Sequence, residues 1–203
     1  MRNNCILDRY VVERWCAVWP ANGRYGMDVA PAGLGFVHDL LNTLPAGKPR
    51  VDLLASLDGA QPWLDGALAA WAEETGRERP EVSLTERDLD QVRGLREEIK
   101  TLLTGGEPAH ELSSATLRLG SDGRVAIEPR GTGARLVASV VLIEMLAAQQ
   151  ADTWRRLKVC RNPRCQVAFF DRSRNNSGVW HATKTCGNVE NLRAHRARAK
   201  STA

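Results

Sequence analysis

The sequence predicts an α+β protein: a mostly helical body with one β-hairpin, followed by a small cross-braced unit at the C-terminal end. Three observations carry this prediction. Apolar residues recur at three- and four-residue steps in separate stretches between residues 34 and 150, the period of amphipathic helices. Residues 116–128 alternate in polarity around Gly120-Ser121-Asp122-Gly123, which is the pattern of a hairpin with a four-residue loop. Beyond residue 152 the chain is rich in Arg, Asn and Ser, and it holds three of the five cysteines within 27 residues. So small and polar a segment buries too little surface to fold unaided and needs a metal or disulfides.

In chain order, residues 1–32 form a leader with no clear element. Trp15 and Trp19 share a helical face that Pro20 interrupts, and Asn22-Gly23 and Gly26 mark turns. Cys5 and Cys16, far from the other cysteines, read as ordinary thiols. Leu34–Leu44 is the first helix, with Val37, Leu40, Leu41 and Leu44 on one face, His38 solvated and Asn42 ending it. A short helix is expected to open at Pro49–Leu54. The next carries Pro62 near its first turn and a Leu64, Leu68, Trp71 stripe, and Gly76 and Pro80 end it. Thr85-x-x-Asp88 is a capping-box-like start for a helix striped by Leu89, Val92, Leu95, Ile99, Leu102 and Leu103 and stopped by Gly105-Gly106. Residues 112–116 finish a short helix before the hairpin. Ala134–Gln150, apolar on most faces, is expected to be the buried central helix. The body thus spans 33–151 and the terminal unit 152–203.

Within that unit the spacing is Cys160-x4-Cys165, fifteen residues, then His181-x4-Cys186. Two close pairs of soft ligands joined by a loop form a closed tetrahedral site for one structural Zn2+, with no position left for a reacting water. Disulfides are the weaker alternative, because nothing marks the chain as secreted. Leu157–Val159 and Val167–Asp171 read as strands around the first pair, Val179-Trp180 as a returning strand, and Cys186 as the start of a helix, an order that is treble-clef-like. Phe169 and Trp180 are placed to cover the metal, and Leu192 to pack inward.

Charge divides the same way. Residues 152–200 carry 12 Lys+Arg and 3 Asp+Glu (12 − 3 = +9), and residues 1–151 carry 16 and 21 (16 − 21 = −5). A basic module on an acidic body is the electrostatic footprint of nucleic-acid binding. Arg193, Arg196 and Lys200 share a face of the last helix, and Arg172 and Arg174 sit in the turn before it, so these five are the candidate phosphate contacts. The chain has no 18-residue apolar run and no signal-peptide core near Met1, which implies no membrane span and a reducing, cytoplasmic setting. No nucleophile is paired with a base, and the four histidines are scattered, so no enzyme is expected.

The stretches Val159-Cys160-Arg161-Asn162-Pro163-Arg164-Cys165, Phe169-Phe170-Asp171-Arg172-Ser173-Arg174-Asn175-Asn176-Ser177, Trp180-His181 and Cys186-Gly187-Asn188 resemble the CGNR zinc-finger family. Upstream, Phe36, Leu41-Asn42-Thr43 and the Leu-rich helices resemble the ABATE domain that precedes the finger in that family. The resemblance spans about residues 33–199. It implies a bacterial transcription regulator that binds DNA through the finger, with the helical domain sensing a small-molecule effector or forming a homodimer. RNA or protein binding by the finger is the alternative. The chain departs from the motif at Val189, where relatives carry Arg, and at His181, where many carry Cys; imidazole is an equally competent zinc ligand.

Overall fold

The computed structural model describes residues 19–44, 51–107, 113–190 and 192–193. Among them are four α-helices: α1 (Leu34–Leu41), α2 (Leu57–Thr75), α3 (Glu86–Leu103) and α4 (Gly133–Gln150). There are also two antiparallel hairpins, β1 (Ala115–Leu119) with β2 (Val125–Pro129), and β3 (Leu157–Val159) with β4 (Ala168–Phe170). The expected α+β class, a helical body with one hairpin before a small metal-ligand unit, is what forms.

Local chemistry sets several boundaries. Thr85 caps α3 through a complete capping box: its hydroxyl accepts from the Asp88 N–H, and the Asp88 carboxylate accepts from the Thr85 N–H. Asp88 also takes the N–H of Ala134 at 2.8 Å, tying the start of α3 to the start of α4. The first hairpin pairs Leu117 with Ile127 and Leu119 with Val125, in the register the alternation implies. Two expected short helices do not appear. At 51–56 the Asp52 carboxylate accepts the Leu54 N–H, a side-chain turn that competes with helix, and it also holds Arg96. Residues 113–114 are not helical, and β1 starts directly at Ala115. The remainder of both stretches, with Trp15, Cys5 and Cys16, lies outside the described residues.

The buried centre is α1, not the 134–150 helix. All eight residues of α1 are buried, and it touches α2, α3, α4 and β4. α4 leaves Arg135, Leu146 and Ala147 to solvent. α1 also ends three residues earlier than its apolar pattern suggests, at Asn42.

The polar residues of α1 explain how it tolerates this position, since buried polar groups are kept only when bonded. The Asp39 carboxylate accepts the N–H groups of Ala21 (3.1 Å) and Asn22 (2.8 Å) and the Trp63 indole (2.8 Å). Residues 19–32 are therefore held against the body. Trp19 lies so close to Gly35 that a Cβ there would come within 2.5 Å of its ring. Burial pushes the Asp39 carboxyl up to about 6 against the pull of these donors.

His38 is fully buried rather than solvated. Its Nδ1 accepts the Ala30 N–H (3.2 Å), so the ring proton sits on Nε2, which donates to the Ala168 carbonyl (2.9 Å). Asn42 does end α1, but its side chain does more. Its amide donates to the Ala168 carbonyl (3.0 Å), and its Oδ1 accepts the Ala168 N–H (2.9 Å). Ala168 belongs to β4, so the helix at the centre of the body grips a strand of the terminal unit.

Candidate metal centre and basic surface

The β3–β4 hairpin carries the first cysteine pair at its tip. Cys160 donates its N–H to Val167 O (2.9 Å), and Cys165 donates to Asn162 O (2.8 Å). The buried Asn162 accepts the Arg164 N–H on its side chain (3.0 Å), and Gln166 turns the chain with φ 59°. The second pair comes from the return. Arg161 N–H bonds Val179 O (3.1 Å), which anchors the approach to Trp180 and His181, although no strand forms at 179–180. Cys186 falls inside a π-type turn, Thr183–Gly187, that leads into helical residues 188–190. A Cβ at Gly187 would meet the Trp180 ring at 3.0 Å, so a small residue there lets the turn close on the indole.

The four side chains converge. One donor atom from each of Cys160, Cys165, His181 and Cys186 lies within 4.8 Å of the others. His181 Nδ1 is 3.2 Å from Cys165 Sγ and 3.6 Å from Cys186 Sγ. A tetrahedron with Zn–S of about 2.3 Å and Zn–N of about 2.0 Å has edges of roughly 3.5–3.8 Å, so the cluster has the size zinc requires. The charge argument agrees. Without a cation, burial pushes the Cys165 thiol up to about 12, raises Cys160 and lowers His181. A divalent ion is what makes thiolates the favoured form in such a pocket. Val167 and Phe169 are buried against the cysteines, with Trp180 beside them. Tyr25 and Met27 complete the cover, a contribution from the leader that carries no sequence signal. One structural zinc, held by three sulfurs and an imidazole, is the cofactor this donor set fits.

Behind the metal, Asp171 organises the 171–178 loop. Its carboxylate accepts from Lys158 Nζ (2.7 Å), Gly178 N–H (2.7 Å) and Ser173 N–H (2.9 Å). Burial alone raises this carboxyl, but the Lys158 charge and the N–H donors together hold it well below the usual range.

The candidate phosphate contacts fare unequally. Arg174 is exposed with no side-chain partner among the described residues. Arg172 is tied to the leader: it donates to Val29 O (2.9 Å), pairs with Asp28 (3.5 Å) and stacks over Phe170. Arg193 pairs with Glu190 one turn back. Arg196 and Lys200 lie outside the described residues. Arg164 and Lys184, which the sequence reading passed over, are exposed and unpaired among the described residues; Arg164 adjoins Cys165 and Lys184 lies two residues before Cys186, a signal already present in their numbering. Leu192 does not pack inward. It is 51% exposed, with Val189 at 44%, and the buried residues of this stretch are Cys186 and Gly187, in the turn before the helix.

Residues 35–156 match the ABATE family model, described as a "putative stress-induced transcription regulator". Residues 156–199 match the model of the CGNR zinc finger. No curated protein matches the chain significantly.

Proposed function

Because the chain belongs to the ABATE family and ends in a CGNR zinc finger, we propose that it regulates transcription by docking the finger on DNA. The observation that carries this reading is the set of cations Arg164, Arg174 and Lys184, exposed and unpaired among the described residues, on a metal-braced frame, with Arg196 and Lys200 further along the same basic segment of the sequence. An unpaired cation has no internal bond to give up when it meets a phosphate, and it releases counterions from the duplex. Arg172 and Arg193 contribute after exchanging their present partners. In the same reading the body senses an effector or dimerises. The first hairpin, with Leu117, Leu119 and Val125 exposed, supports the second role. The body is given no catalytic part: among the described residues its one histidine, His38, is closed off in the core. A reducing cytoplasm suits a site built on three thiolates.

Fluorescence anisotropy of the zinc-loaded chain with labelled duplexes tests the proposal. Affinity is expected to fall with salt at a log–log slope near −0.9 per phosphate contact, and Arg174→Ala is expected to reduce that slope by about one. No duplex binding at low salt overturns it. The protein-docking alternative would then stand, which the exposed Val189 and Leu192 on the finger helix favour.

A further inference from the structure

The three most exposed large apolar side chains among the described residues stand on one hairpin: Leu119 at 71%, Leu117 at 70% and Val125 at 65%. They share a face, because Leu117 pairs with Ile127 and Leu119 with Val125 across the ladder. Apolar side chains gathered this way on a surface mark a site of association. The hairpin is firmly held at its base. The Ser139 hydroxyl of α4 donates to the Ser114 carbonyl (2.6 Å) and accepts the Arg130 N–H (3.0 Å), which pins both ends. A shallow cleft of about 130 Å³ beneath it is lined chiefly by Ala115 and Ile127 of the hairpin and Leu142, Ile143 and Leu146 of α4, so the apolar face turns toward α4.

β1 is also an open edge. All five of its residues are exposed, and its ladder is to β2 alone. At the closed end Gly120 donates its N–H to Arg124 O (2.7 Å). Bonded and non-bonded pairs alternate along an antiparallel ladder. Thr116 and Arg118 therefore bond β2, while the N–H and C=O groups of Ala115, Leu117 and Leu119 point outward. β2 offers no equal edge, because it lies against α4 and ends at Pro129, which has no N–H. Free backbone groups and exposed apolar side chains thus fall together on Leu117 and Leu119. An added strand along β1 satisfies both, which makes a strand the occupant this edge selects.

The edge is complementary to itself. The outward-facing residues 115, 117 and 119 are symmetric about Leu117, so a two-fold axis there brings Leu117 against Leu117 and small Ala115 against large Leu119 of a second copy. An axis one residue away would set residues whose backbone groups face β2 opposite each other. Charge agrees with the first register. Arg118 falls opposite Thr116 of the second copy, not opposite another Arg118, and Glu128 of that copy lies on the far side of the same Thr116. Each row across the sheet then holds one arginine and one glutamate from different chains. We infer that a second copy of this chain docks here, β1 antiparallel to β1 about Leu117, to form a four-stranded sheet. Three or more strands with an apolar face form a stable sheet where two alone are marginal. The inference deepens the dimerisation part of the proposed function and rests on that reading for its use, which is to carry two fingers on one two-fold frame, as paired half-sites on DNA require.

Sedimentation equilibrium of the zinc-loaded full chain, without DNA, tests it. A concentration-dependent dimer is expected. Leu117→Pro removes the outward N–H at the axis and no bond to β2, and is expected to weaken the dimer about tenfold or more. Thr116→Arg sets arginine against Arg118 at two places in the interface and is expected to weaken it about tenfold. Within its own chain the new arginine faces Glu128, so the hairpin itself is favoured. Leu192→Ser, on the finger helix, is expected to leave the dimer unchanged. Folding of each variant is checked by circular dichroism, and Thr116→Arg decides the matter if Leu117→Pro fails to fold. A monomer at every concentration, parental affinity in a folded Thr116→Arg chain, or a dimer dissolved by Leu192→Ser overturns the inference. Duplex anisotropy is read separately. A monomer that binds DNA removes the dimer alone, and a dimer that binds no DNA removes the proposed function while this interface stands.

Discussion

His38 shows at the level of one residue how position overrides expectation. A histidine on an exposed helix face titrates near its ordinary value, but this one is enclosed. Burial pushes its imidazole down to about 4; the bond to the Ala168 carbonyl opposes the shift, and the Arg172 charge adds to it. The folded pKa lies below the unfolded value of 6.5, so as pH drops the unfolded chain takes up a proton that the folded chain refuses. Stability is therefore complete above pH 6.5 and is lost as pH falls toward 4. From pH 7 to pH 5 this residue alone removes about 2 kcal/mol. In urea unfolding, the stability gap between the parent and His38→Gln is expected to narrow by about that amount over the same interval. A gap that stays constant would mean the imidazole is not held neutral.

At the scale of elements, the junction of α3 and α4 turns on one carboxylate. Asp88 closes the capping box of α3 and bonds the first turn of α4, so two helix N-termini share it. Burial pushes its carboxyl up, but the N–H groups of Ala134 and Thr85 and the Thr85 hydroxyl outweigh this and hold it below the ordinary value. Losing a cap costs about 1 kcal/mol, and losing a bond to a charged acceptor costs a comparable amount or more. Asp88→Ala is expected to cost about 2–3 kcal/mol in thermal unfolding at pH 7. The difference is expected to shrink below pH 4, as the parent carboxyl takes up its proton. The Thr85-x-x-Asp88 spacing announced the cap. The bond to Ala134, 46 positions away, became visible only once α4 lay beside α3.

At the scale of the whole molecule, among the described residues the finger has a small core of its own around the cysteines but shares its hairpin with the body. Leu157 and Ala168 of the finger hairpin belong to the same core cluster as α1–α4, and His38 and Asn42 bond the Ala168 backbone. The sequence alone suggests that losing a ligand such as Cys160 or Cys186 unfolds the finger and spares the body. The shared core implies otherwise. Metal-binding energy is folding energy for the finger, and β4 transmits part of it to α1. Chelation with EDTA is expected to lower the melting temperature of the helical far-UV signal, by about 2–4 °C for each kcal/mol lost in a chain of this size. Cys186→Ser is expected to do the same. A helical transition that ignores zinc would show that the two units fold separately.

The sequence by itself determined the metal site, the class of fold and the capped, striped helices, because each rests on interactions within a few residues: ligand spacing, a 3.6-residue period, a cap three positions ahead of its partner. It also showed where the positive charge concentrates, since charge is additive along the chain. Tertiary structure alone decided which helix is central, that residues 19–32 help cover the metal site, that Arg172 is engaged by the leader while Arg164 and Lys184 have no partner among the described residues, and that His38 and Asn42 hold the finger. Those outcomes depend on groups 18 to 143 positions apart becoming neighbours. Local pattern carries no record of such pairings, because a buried polar side chain is chosen for the partner it meets after folding and not for the residues beside it.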